Sequence, residues 1–129
     1  MKVFICLDDK NGMMFNKRRQ SKDRVVIEKV KEIVGEKPLY VSEYTHGLFE
    51  EATICKNFEN FDGYAFIEDP IHIIANEIEV LYIFKWNRHY PSDKKFNLNM
   101  KDFDLELVEN FVGYSHENIT LEIYNKRRK

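Results

Sequence analysis

Glycine is scarce in this 129-residue chain: Gly12, Gly35, Gly47, Gly63 and Gly113 are the only five, and no two are adjacent. A glycine-rich loop, in which bare backbone amides cradle a phosphate, has nowhere to form. Cysteine is scarcer still. Cys6 and Cys55 cannot build a disulfide framework, and both read as small buried hydrophobes of a reduced, cytoplasmic protein. The three prolines are scattered and no linker or repeat interrupts the chain. No apolar run approaches the roughly 18 residues of a membrane span, so no membrane partner is expected. Met1–Leu7 is too short for a signal-peptide core and is followed by Asp8-Asp9 instead of a small-residue cleavage site. The four histidines, His46, His72, His89 and His116, stand alone, and no pair has metal-ligand spacing. No metal or cofactor is expected.

What is present is a core-forming composition. Hydrophobic residues make up 43% and aromatics 14%, too apolar for disorder and sufficient for a single domain over residues 1–129. The net charge of −2 conceals three blocks: +4 over residues 1–37, −8 over 38–84 and +2 over 85–129. The basic ends suit an anionic ligand, whereas an acidic total disfavours non-specific nucleic-acid binding.

Four short apolar runs, Val3–Leu7, Leu39–Val41, Tyr64–Ile67 and Val80–Phe84, do not alternate. They read as strands covered on both faces, as in a parallel sheet. Between the first two lies the clearest helix. Val26, Val30, Ile33 and Val34 form a stripe at helical spacing, with Ser21 as the cap, Asp23 in the first turn and Gly35 as the stop. A short second helix is expected over Tyr44–Glu51, and Pro70 opens a third segment, helix or loop, to about Asn76. The end of the chain alternates. Phe103, Leu105, Leu107 and Phe111 run out, with Glu109 the break, and Ile119, Leu121 and Ile123 run back. A period of two places these on one face of an antiparallel hairpin, with Asp104, Glu106, Asn118, Thr120 and Glu122 on the other. The sum is an α/β fold: a mostly parallel centre, a C-terminal antiparallel hairpin, and helices on both faces.

In this order the chain resembles a shortened dihydrofolate reductase. The opening strand and Asp8-Asp-Lys-Asn-Gly-Met-Met-Phe-Asn16 are similar to that family's first strand, acidic turn and loop. Lys37-Pro-Leu-Tyr-Val-Ser-Glu-Tyr-Thr-His46 resembles its Lys-Pro strand leading to a helix with Thr near the start. Leu81-Tyr-Ile-Phe84, Phe96 and the 103–124 hairpin, with Ser115-His116, follow its last strands. About two thirds of the chain is covered. The resemblance implies a carboxylate on the first helix that holds the pterin. Asp23 matches it only across a one-residue gap; without the gap Arg24 takes the place. The family's Gly-Gly pair is absent, its loop Trp falls near Arg19, and the Thr that partners the carboxylate falls at Phe84, which cannot make that hydrogen bond. The expectation is a scaffold without the NADPH-binding region. Residues Asp8–Val25 also resemble short bacterial proteins labelled ribonuclease Z, yet the His-x-His-x-Asp-His zinc motif of that enzyme is missing.

The densest candidate site is Asn16–Arg24, where Lys17, Arg18, Arg19, Lys22 and Arg24 lie within eight residues. Guanidinium forks and helix amides favour phosphate or carboxylate ligands. The same cations can instead neutralise Asp8, Asp9 and Glu43. His46, after Tyr44-Thr45, can grip an anion together with Arg19 or shuttle a proton; Asp23 is the other candidate acid. His116 in the hairpin turn reads as exposed. Trp86, among cations and aromatics, either stacks on a ring or covers the core. Lys126–Lys129 reads as a solvated tail. The sequence therefore predicts a small cytoplasmic binding or accessory protein whose anionic or heterocyclic ligand meets Arg18, Arg19, Asp23, Tyr44 and His46. The alternative is a metal-free enzyme acting on RNA, using His46 or His116 with Arg18 or Arg19. Homodimerisation through an exposed strand edge fits either.

Overall fold

The four non-alternating runs become the four central strands. The computed structural model describes residues 1–59 and 62–127; Arg128 and Lys129, half of the expected tail, lie outside them. Strands β1 (Lys2–Leu7), β4 (Leu39–Val41), β6 (Tyr64–Phe66) and β7 (Val80–Lys85) are mutually parallel. Strand β5 (Thr53–Ile54) extends the sheet parallel to β4. Strands β9 (Phe103–Phe111) and β10 (Ile119–Lys126) add antiparallel at the other side, giving the order β5-β4-β6-β1-β7-β10-β9. β1 is flanked by β6 and β7, so the chain crosses over it between those two strands, which opens a crevice at their carboxyl ends.

Both faces of this sheet are buried, which is why its central runs carry no alternation. On one face Phe4, Tyr64, Phe66, Tyr82 and Phe84 pack under Val26, Val30 and Val34 of helix α1 (Arg24–Val34). Phe4 is fully buried, and its ring stacks on Tyr82 at 4.5 Å between centroids. On the other face Val3, Ile5, Leu7, Leu81 and Ile83 meet Met13, Met14, Ile78 and Phe96. The cover differs from expectation on both faces. α1 is the one α-helix among the described residues, and Tyr44–Glu51 holds only a 3-10 turn at Thr45–Gly47. Further 3-10 turns at Pro70–His72, Ala75–Glu77 and Met100–Asp102 take the place of helices on the second face. The expected helices are too short and too poor in periodic apolar residues to repay helix nucleation.

The start of α1 also differs. Asp23, not Ser21, is the N-cap, its Oδ1 accepting from the Val25 amide at 2.9 Å. Gly35, at φ 63°, ends the helix with its N–H on the Lys31 carbonyl, as the sequence predicts.

The closing hairpin forms, but its single apolar face does not. A bulge between Ile123 and Tyr124 sets Ile123 opposite Leu107 and Tyr124 opposite Leu105. The extra residue lies in β9 and switches its faces, so Phe103 joins the core away from α1 and Phe111 the core beneath it, while Ile119, Leu121 and Ile123 of β10 share the face beneath α1 as expected. Glu109, the break in the alternation, reaches Lys29 of α1 at 3.0 Å. Leu105, Leu107 and Val108 stay half-exposed on the outermost strand.

A second, three-stranded sheet holds the basic loop. Strand β2 (Gly12–Phe15) pairs antiparallel with β3 (Arg18–Arg19) and with β8 (Lys94–Lys95). Asn16 and Lys17 form the two-residue turn of the β2–β3 hairpin at φ 52° and 64°. Positive φ at both positions matches the twist of the paired strands, so Arg18 and Arg19 sit on a hairpin where a free loop was expected.

Candidate functional site

The carboxyl ends of the parallel strands each deliver a polar or aromatic residue to the crevice. Asp8 follows β1, Ser42 follows β4, Glu68 lies two residues past β6, and Trp86 follows β7. The β2–β3 hairpin, the start of α1 and the tip of the β9–β10 hairpin close over them. Two linked clusters result.

The first cluster centres on Asp23, which is 3% exposed. Its Oδ1 accepts from the amides of Val25 and Tyr114, each at 2.9 Å. Its Oδ2 accepts from the Ser115 amide at 2.8 Å, the Ser115 hydroxyl at 3.2 Å and His116 Nδ1 at 2.8 Å. A carboxylate only accepts, so Nδ1 carries the imidazole proton. Burial alone pushes the Asp23 carboxyl up, but the hydrogen bonds from Tyr114, His116, Ser115 and Val25 outweigh it and hold the group well below the usual carboxylate range. His116 is 4% exposed, not the open turn residue expected. Its Nε2 lies 3.0 Å from Ser21 Oγ and 3.1 Å from Tyr90 Oη, and its ring stacks on Trp86 at 4.5 Å. Trp86 therefore does what a strand-end core aromatic does.

Gly113 is part of the same construction. A Cβ there would stand 2.7 Å from Asp23 Oδ2, 2.7 Å from Ile119 Cδ1 and 2.9 Å from the His116 carbonyl. Gly113→Ala is expected to lower stability by about 1–3 kcal/mol, as overpacking does, and to speed hydrogen exchange at the Tyr114 and Ser115 amides. Unchanged exchange at those two amides would mean that the network tolerates the methyl group.

The second cluster centres on Glu68. It receives Arg19 in a fork, Nε at 2.6 Å and a terminal nitrogen at 3.0 Å, and the Thr45 hydroxyl at 2.8 Å. Thr45 is fully buried and is held by Ser42 Oγ. The Arg19 guanidinium lies over the Tyr44 ring, 4.4 Å from its centroid, and the Arg19 amide donates to the Tyr44 hydroxyl at 3.0 Å. Of the expected ligand-binding residues, Arg19 and Tyr44 are thus brought together. Asp23 lines the same small cavity as Arg19 but presents its oxygens to the chain's own donors. Arg18 is exposed on β3. His46, half-buried in its 3-10 turn, lines neither of the two cavities below. The alternative reading of the cations as neutralising acids holds for Arg19, with Glu68 as the partner in place of Asp8, Asp9 or Glu43. Asp8 instead accepts from the Lys10, Gly12 and Tyr90 amides and from Gln20, tying the loop down.

Two cavities adjoin these clusters. A small, partly open one of about 20 Å³, room for about one water molecule, is lined by Cys6, Ser21, Asp23, Trp86, Arg19 and Glu68 among others. Burial, with the nearby Glu68 charge, pushes the Cys6 thiol well above its ordinary value, so it stays protonated. An open groove of about 670 Å³ is lined by Lys17, Tyr44, Glu68, Asp69, His72 and Lys94 among others. Glu68 lines both, so the Arg19–Glu68 pair stands between them. Among the described residues no three His, Cys, Asp or Glu side chains gather as metal ligands, and no helix is long and apolar enough to cross a membrane.

Glu68, Ser21 and Ser115 were missed as site residues, and His116, a candidate base of the alternative reading, was expected to be exposed and not joined to Asp23. Glu68 had a signal, a carboxylate directly after a buried run. The others had none locally, since Asp23 and His116 are 93 positions apart.

The architecture is that of the dihydrofolate reductase-like α/β fold. The backbone superposes on dihydrofolate reductase from Enterococcus faecalis, solved in complex with NADP(H) and RAB-propyl, with a TM-score of 0.71. The likeness covers 98% of this chain and 96% of that one at 10% sequence identity, and so shows the fold alone. No family model and no curated protein matches the sequence, and nothing found connects it with ribonuclease Z.

Proposed function

We propose that the protein is a small-molecule binding or accessory protein on a dihydrofolate reductase-like scaffold, and that it does not reduce folate with NADPH. The observation that carries the reading is the saturation of Asp23. Five donors from the chain itself converge on its two oxygens, about the full acceptor capacity of a carboxylate. None remains to hold a pterin. Phe84, where the resemblance implies the carboxylate's Thr partner, is fully buried in the core beneath α1, which supports the same conclusion.

The ligand best suited to the groove is a heterocycle that carries hydrogen-bond donors and an anionic substituent. Glu68 and Asp69 supply acceptors and Tyr44 an exposed ring, while Lys17 lies along the groove and Arg18 beside it on β3. Such a ligand competes with Arg19 for Glu68. Arg19→Ala is therefore expected to tighten binding about tenfold, the worth of about one charge-assisted hydrogen bond. Tyr44→Ala is expected to weaken it.

Thermal melts with nucleotides, folate and NADPH test the reading. A heterocycle held in the groove should raise the melting temperature by several degrees at saturating concentration, with NMR shifts at Lys17–Arg19 and Tyr44. A comparable rise with NADPH alone would restore the reductase. No shift with any of them, and no perturbed resonance at those residues, would remove the binding function.

A further inference from the structure

Ser21, His116 and Asp23 are arranged as a nucleophile, a base and its orienting carboxylate, and the proposed ligand groove makes no use of that arrangement. Ser21 Oγ is 3.0 Å from His116 Nε2, and His116 Nδ1 is 2.8 Å from Asp23 Oδ2. Both distances lie in the range where a base can take a hydroxyl proton and a carboxylate can fix the tautomer. With Nδ1 protonated, the single lone pair of the neutral ring is on Nε2, facing Ser21. The imidazole is clamped by Trp86 on its face, and the carboxylate is buried. The nucleophile is the more open member: Ser21 is half-buried and lines the small cavity with Asp23, Trp86, Met13, Val26 and Leu48. Cys6, the other nucleophile on that wall, is held as a neutral thiol by its burial.

We propose that Ser21 is an acyl-accepting nucleophile, activated by His116 with Asp23 as the positioning residue, and that it takes small carboxylic esters of short acyl groups. The acyl size follows from the cavity, whose about 20 Å³, the room of about one water molecule, takes no more than the methyl end of a short acyl group. The first turn of α1 lines the same cavity through Val26 and Ile27, which give it apolar walls suited to a short acyl chain. Lys22, exposed and lining the same cavity, favours an ester with an anionic leaving group. In the step itself, Ser21 Oγ bonds to the carbonyl carbon while its proton passes to His116 Nε2. The tetrahedral adduct then collapses, the bond to the leaving alcohol oxygen breaks, and His116 returns the proton to that oxygen. Water repeats the sequence on the Ser21 ester and releases the carboxylic acid. Tyr90 Oη, 3.1 Å from the same Nε2, competes for the lone pair and keeps the resting serine only partly engaged.

The test uses the full chain with p-nitrophenyl acetate, reading p-nitrophenol release and mapping the acetyl adduct by peptide mass spectrometry. The expected result is a burst equal to the protein concentration, with the acetyl group on the peptide carrying Ser21. Ser21→Ala should remove burst and adduct while leaving the melting temperature within a few degrees. His116→Gln should slow the burst at least about tenfold. Mapping the adduct on the unsubstituted protein keeps the test valid if a variant fails to fold. No burst, an adduct confined to lysines or Tyr90, or a Ser21→Ala protein that reacts like the unsubstituted one overturns the proposal. Because the readout is covalent and independent of groove ligands, its failure leaves the binding function untouched, and the reverse also holds.

Discussion

Asp23→Ala is expected to lower the unfolding free energy by roughly 3–5 kcal/mol, the cost of stranding the partner of a buried pair. The amides of Val25, Tyr114 and Ser115 and the buried imidazole of His116 would all lose their acceptor at once. The same carboxylate caps α1 and pins the tip of the closing hairpin, so one substitution loosens two elements that are distant in sequence. Urea titration of the variant measures the loss. A change below about 1 kcal/mol would mean that water or Ser115 takes over the vacated role. The acid limb of stability carries the same information. Because the folded carboxyl is held below its ordinary value, its contribution is complete above the unfolded value of about 3.9. It is lost as the pH falls below about 4 and through the depressed folded value. Asp23→Asn should flatten this part of the pH profile. Part of the slope should remain, since Asp8 is depressed too: its burial is outweighed by hydrogen bonds from Gly12, Lys10, Tyr90 and Gln20.

Phe4→Ala is expected to cost about 3–5 kcal/mol, the usual range for emptying a fully buried aromatic site. Phe4 lies at the centre of β1 with no exposed surface. Its ring contacts Tyr82 at 4.5 Å, Tyr64 at 5.9 Å, Phe84 at 6.4 Å and Phe66 at 6.5 Å, with interplanar angles of 17–26°. These stacked neighbours come from β6 and β7 on either side and cannot collapse into the void without moving the sheet. Against a typical total of about 5–15 kcal/mol, the variant should lose a large part of its stability and unfold at a much lower urea concentration. Phe4→Leu, which keeps most of the volume, should cost much less. Equal losses for the two variants would show that ring stacking, and not volume, sets the cost.

The central strands and α1 were legible because their signals are local. Four short apolar runs, too short for helices and bounded by charged residues or by proline, glycine and serine, read as strands covered on both sides, and Val26, Val30 and Val34 recur at helical spacing. The closing hairpin was legible as a hairpin for the same reason. Its bulge was not, because an extra residue in one strand leaves the alternation of the sequence intact while exchanging the faces it serves. The basic segment was legible as a dense cluster of charge. Which cation would be spent internally was not: Glu68 stands 49 positions from Arg19 and meets it only once β6 and the β2–β3 hairpin share one end of the sheet. Arg18, next to it on β3, faces solvent.

By itself the sequence determined the fold class, the order of the strands in the chain, the helix and its glycine stop, and the absence of a glycine-rich phosphate loop. Each of these is a matter of short-range pattern or of residues that are not there. Only the tertiary structure decided what the polar residues do. It joined His116 to Asp23 and Ser21, and Arg19 to Glu68 and Tyr44, turning an expected exposed histidine into a buried, hydrogen-bonded one and an arginine expected to meet a ligand into a paired one. The physical reason is the reach of the interactions. Burial of apolar side chains leaves its period in the sequence, whereas a hydrogen bond between residues 93 positions apart leaves no trace until the chain has closed.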